Sequence, residues 1–75
     1  GSSTIRLAVR PRSADRARRV LRRFGASFRV QRSRGRAAFL IANPRELSGD
    51  EHPFARRLPA ALERAGVATM AFRAP

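Results

Sequence analysis

The sequence predicts an α+β fold, a ferredoxin-like β-α-β-β-α-β sandwich with a four-stranded antiparallel sheet carrying two helices on one face. Two patterns lead there. Short stretches that alternate apolar and polar residues are interleaved with two stretches whose apolar residues recur at helical spacing. Single glycines stand at most of the joins, where a chain reverses or a helix stops.

Residues 4–10 alternate. Ile5, Leu7 and Val9 point one way and Thr4, Arg6, Ala8 and Arg10 the other, a half-buried strand stopped by Pro11. Ser13 suits the cap of a helix, with Asp15 in its first turn against the helix dipole. Ala17, Val20, Leu21 and Phe24 form its apolar stripe, and Gly25 suits its end. Residues 27–32 form the second strand, with Phe28 and Val30 inward and Arg29 and Gln31 outward. Ser33-Arg34-Gly35 reads as a tight turn. The third strand, residues 36–42, has Ala37, Phe39 and Ile41 in the core, which leaves Leu40 on the outer face beside Arg36 and Ala38. After a polar loop over 43–49, Asp50 or His52 caps a second helix, and Pro53 is tolerated in its first turn. Phe54, Leu58, Ala61, Leu62 and Ala65 form its stripe, Pro59 should kink it or delay its regular part, and Gly66 ends it. The fourth strand spans 67–74, with Met70 and Phe72 inward and Thr69, Ala71 and Arg73 outward. Both crossovers are expected to be right-handed.

At 75 residues the chain has room for one domain with a modest core. Residues 4–75 read as that single basic domain, and Gly1-Ser2-Ser3 as a cloning scar or disordered end. The absence of cysteine excludes disulfide staples and thiolate metal sites, and no metal or cofactor is expected. No run of eighteen apolar residues exists and no signal peptide is visible, so the expectation is a cytoplasmic protein with no membrane span. The formal net charge is +12, the pI is near 12.0, and all 17 basic residues are arginine. Guanidinium forks onto phosphates and stacks on planar groups, so polyanions are the expected partners.

The alternation gives that charge an address. The helices cover one sheet face; on the other, Arg6 and Arg10 come from the first strand, Arg29 and Gln31 from the second, Arg36 from the third and Arg73 from the fourth. Arg32 and Arg34 add charge at the hairpin tip. Ala8, Ala38 and Ala71 floor the centre, with Thr69 beside them. Such a surface suits single-stranded nucleic acid. Arginine at outward strand positions is also what a GC-rich genome supplies for no binding reason. A second basic patch, Arg18, Arg19, Arg22 and Arg23, lies on the first helix, where such runs commonly form a solvated face; its spacing matches no helix-turn-helix, homeodomain or zinc finger.

The element order is shared with RNA-recognition-motif domains, whose third strand reads basic-Gly-aromatic-Gly/Ala-aromatic-Val-x-aromatic. In Arg34-Gly35-Arg36-Ala37-Ala38-Phe39-Leu40-Ile41 the opening Arg-Gly and the small Ala37 resemble that motif. Arg36 and Ala38 stand where its base-stacking aromatics belong, and Phe39 falls on the core side. The likeness is one of topology and carries no family membership.

An enzyme is not expected. Acid-base chemistry needs His, Asp or Glu converging in a pocket. Asp50-Glu51-His52-Pro53 is the one local cluster of titratable groups, and acids gather at helix starts for dipole reasons. No glycine-rich phosphate loop is present, and Ser13, Ser27, Ser33 and Ser48 have no evident base partner. The leading expectation is a nucleic-acid-binding module, RNA ahead of DNA. The alternative is an interaction, accessory or inhibitor module that binds an acidic protein through the same alanine-floored face, with Leu40 as its apolar centre.

Overall fold

A computed structural model describes residues 4–42 and 53–73. Its elements are β1 (Thr4–Val9), α1 (Ala14–Arg23), β2 (Phe28–Ser33), β3 (Arg36–Ala42), α2 (Pro53–Arg64) and β4 (Thr69–Arg73), with a 3-10 turn at Pro11–Ser13. The expected loop over 43–49, the caps Asp50 and His52, residues 1–3 and the side chain of Phe54 lie outside the described residues.

The four strands form one sheet in the order β2-β3-β1-β4, with every neighbouring pair antiparallel. Alternation decides which face is buried. Ile5, Leu7 and Val9 of β1 and Ala37, Phe39 and Ile41 of β3 are all buried, because the register sets them side by side on the two central strands. Ala14, Ala17, Val20 and Leu21 of α1 and Leu58 and Leu62 of α2 join the same cluster, so both helices pack on that sheet face. Phe28 and Val30, on outer strand β2, complete it from half-buried positions.

Both helices end in the same way. At α1, the Gly25 N–H donates to Arg22 O and the Ala26 N–H to Leu21 O; at α2, Gly66 donates to Glu63 O and Val67 to Leu62 O. This is the paired bonding of a Schellman stop, which needs a residue at positive φ, and Gly25 (70°) and Gly66 (77°) supply it. Val67 and Leu62, the residues that the second bond at α2 joins, both belong to the buried core cluster, the apolar pairing that often accompanies the motif.

Ser13 departs from its expected role. It sits at the N-cap position of α1, but its hydroxyl makes no capping bond. The residue is buried, and its Oγ accepts a 2.9 Å hydrogen bond from the Ala68 N–H instead. Ala68 O in turn accepts from the Arg10 N–H at 3.0 Å, and the Arg16 guanidinium donates to Gly66 O at 3.2 Å. The start of α1 is thus tied to the turn that follows α2. Pro59 lies inside α2, which is continuous from Pro53 to Arg64, so the regular helix is not delayed to that residue. Its ring is exposed, where the missing N–H is the remaining penalty.

β4 also differs from its expected pattern. It begins at Thr69, two residues late, because Val67 and Ala68 belong to the helix stop. Ala8 faces Ala71 but Val9 faces Thr69, so the register shifts at Met70, a bulge. The extra residue takes Met70 out of its expected core position, and it is 41% exposed. Thr69, opposite inward-facing Val9, is turned to the helix side, where it lines a groove with Leu62, Val67 and Phe72.

Candidate functional site

The face away from the helices is built from residues of opposite parity. Residues directly opposite in an antiparallel pair share a face. Arg29 is opposite Leu40, Leu40 opposite Arg6, and Arg6 opposite Arg73. These four make one row across the sheet. Gln31, Ala38, Ala8 and Ala71 make the next row by the same pairing. With strands about 4.8 Å apart, each row is roughly 14 Å long. Arg36 stands beyond the alanine row, opposite Ser33.

The alanine row gives this face a shallow hollow of about 230 Å³, lined by Arg6, Gln31, Arg36 and Arg73 over Ala8, Ala38, Ala71 and Leu40. A neighbouring hollow of about 410 Å³ is lined by Arg29, Thr4, Ser27, Phe28, Ala42 and, again, Leu40. The two meet at Leu40, which is half-buried between Arg29 and Arg6. Thr4 has the outward position expected of it, and carrying the outward alternation of the third strand one step further reaches Ala42; Ser27, just before β2, carries no such signal.

The other expected residues are placed elsewhere. Arg10 lies past the end of β1, where Pro11 turns the chain, and it shares an exposed corner with Pro11 and Arg12. Arg32 is opposite Ala37, which gives it the parity of the helix side at the exposed outer edge of the sheet. Arg34 is in the two-residue turn after Ser33. On α1, Arg19, Arg22 and Arg23 are exposed and Arg18 is half-buried.

The electrostatics are one-sided. Among the described residues the acids are Asp15 on α1 and Glu63 on α2, so none lies on the open face. Arg6 and Arg73 are like charges directly opposite each other, an arrangement that destabilises an isolated sheet. Among the described residues no aromatic has the parity of this face; Phe28, opposite inward-facing Ile41, only borders the Arg29 hollow from the sheet edge. Phe39 is on the helix side with Phe28, ring centroids 5.6 Å apart at a tilt of 56°, and Phe24 and Phe72 pack against the same core. Any planar stacking on a base would therefore come from guanidinium groups. Among the described residues no His, Cys, Asp and Glu group of metal-binding size exists, and no helix is long and apolar enough to cross a membrane. His52 lies outside the described residues. No protein-family model, no curated protein and no solved structure matches the chain.

Proposed function

We propose that this chain is a nucleic-acid-binding module whose open sheet face contacts phosphates through Arg6, Arg29, Arg36 and Arg73. The observation that carries this reading is the cross-strand row of Arg29, Leu40, Arg6 and Arg73, with Arg36 beyond it and no described acid on the same face. Three arginines lie along the row of roughly 14 Å, and Arg36 stands four residues, about 13 Å, along β3 from Leu40, so the charges span a patch on which a few consecutive phosphates of a single strand can lie. The flat alanine floor leaves room for unpaired bases, which supports a single strand over a duplex. RNA is put ahead of DNA because Gln31 offers both a donor and an acceptor at the rim, the pair of functions a 2′-hydroxyl can answer.

The strand order, with one helix after β1 and one after β3, supports reading the fold as a ferredoxin-like split βαβ sandwich. The same proposal takes residues 4–75 as one basic domain that works as a binder in the cytoplasm, not as an enzyme.

The test is a comparison of charge reversals. Arg6→Glu with Arg29→Glu should weaken oligonucleotide binding at least tenfold more than Arg18→Glu with Arg22→Glu. The opposite ranking would move the principal site to α1. Indifference to every oligonucleotide, together with salt-sensitive binding of an acidic protein, would replace the reading with the partner-protein alternative, which rests on Leu40 at the centre of the face.

A further inference from the structure

We infer that the domain bears a second phosphate-binding surface on α1 and bridges two nucleic-acid strands, one on each face. This rests on the sheet-face proposal and extends it.

The ten residues of α1 hold five arginines and one aspartate, a net charge of +4. Arg18 and Arg22, and likewise Arg19 and Arg23, are like charges four positions apart, where side chains meet and repel. A favourable interaction with the helix dipole accounts for Arg22 and Arg23 in the last turn, and Asp15, three and four positions before Arg18 and Arg19, offsets part of their charge, which still leaves the helix at +4. Arg16 is already engaged with Gly66 O. Arg19, Arg22 and Arg23 therefore form an exposed group whose mutual repulsion a bound polyanion would relieve.

The fold then sets this group against the first. The buried stripe of α1 enters the same core as Ile5, Leu7 and Val9, so the exposed arginines of the helix point away from the sheet. Arg6, Arg36 and Arg73 alternate away from that core on the far side. The smallest principal extent of the Cα trace is 17 Å, about two Debye lengths at physiological ionic strength, and the guanidinium groups reach outward beyond it. A strand on one face neither covers the other face nor strongly repels a second strand held there.

The experiment uses two short, non-complementary RNA oligonucleotides. One is biotinylated on beads and loaded with the protein; after washing, the second, fluorescent oligonucleotide is added. The wild type should capture it, and sedimentation of the soluble complex should give one protein with two oligonucleotides. Arg19→Gln, Arg22→Gln and Arg23→Gln together should leave loading on the beads within about threefold, which also reports an intact fold, and should lower capture of the second strand at least tenfold. Loading without capture by the wild type, equal capture by the triple variant, or a complex of two proteins with two strands would each overturn the bridging inference while leaving the sheet-face proposal standing. Failure of the wild type to load at all would overturn both.

Discussion

Replacing Arg73 with glutamine should make the free protein more stable and its nucleic-acid binding weaker. Arg73 on β4 stands directly opposite Arg6 on β1, and both are exposed. Two unit charges about 6 Å apart in water repel by roughly 0.7 kcal/mol, within the usual range for a cross-strand pair. For a domain of 75 residues that corresponds to a rise in Tm of about 3–6 °C on neutralising one partner. The gain should largely vanish at 1 M salt, where the Debye length falls to about 3 Å. Binding should move the other way. One phosphate contact to a single strand contributes a salt exponent of about 0.7, or a factor of about eight at 50 mM salt and three at 200 mM. Arg73→Gln should therefore lose about that much affinity and flatten the salt slope by about 0.7. Circular dichroism melts at 50 mM and 1 M salt and fluorescence anisotropy with a labelled single strand measure both arms. A lower Tm at low salt would refute the repulsion argument. A higher Tm with undiminished affinity would refute the functional one, because Arg73 would then make no phosphate contact.

Two predictions test the scaffold. Ser13→Ala removes the buried acceptor of the Ala68 N–H and should cost roughly 1–3 kcal/mol, read as a fall in the urea midpoint; an unchanged midpoint would mean that the bond is not needed to hold α1 to the α2–β4 turn. Pro59→Ala restores a helical N–H at an exposed position in α2 and should stabilise the protein by up to about 3 kcal/mol without changing oligonucleotide affinity; a lower midpoint would contradict the reading of Pro59 as a tolerated defect.

The elements legible in the sequence were those whose periodicity is set by burial alone. β3 has the expected bounds, with Ala37, Phe39 and Ile41 inward, because an antiparallel strand flanked on both sides must show its core parity in every residue. The helix stops at Gly25 and Gly66 were legible for a local reason, the positive φ that each Schellman turn requires. What sequence periodicity could not reveal was tertiary. The bulge at Met70 inserts one residue into β4 and reverses the parity of what precedes it, so Thr69 changes face while Ala71 and Arg73 keep theirs. Ser13 has a cap's chemistry and a cap's position, yet a donor 55 residues away takes its hydroxyl. For the candidate site, Arg6, Gln31, Arg36 and Arg73 come together as the alternation implied. Arg10 does not join them, since Pro11 fixes a turn where one more strand residue was expected.

The proposed site is a set of four arginines on an open sheet face that engages phosphates. Its most direct test is the affinity of the wild-type domain for a short single-stranded RNA between 50 and 200 mM salt. Four contacts predict a slope of log affinity against log salt of about −2.8, a loss of roughly fiftyfold across that range. A flat slope, or no binding at 50 mM, would contradict the account.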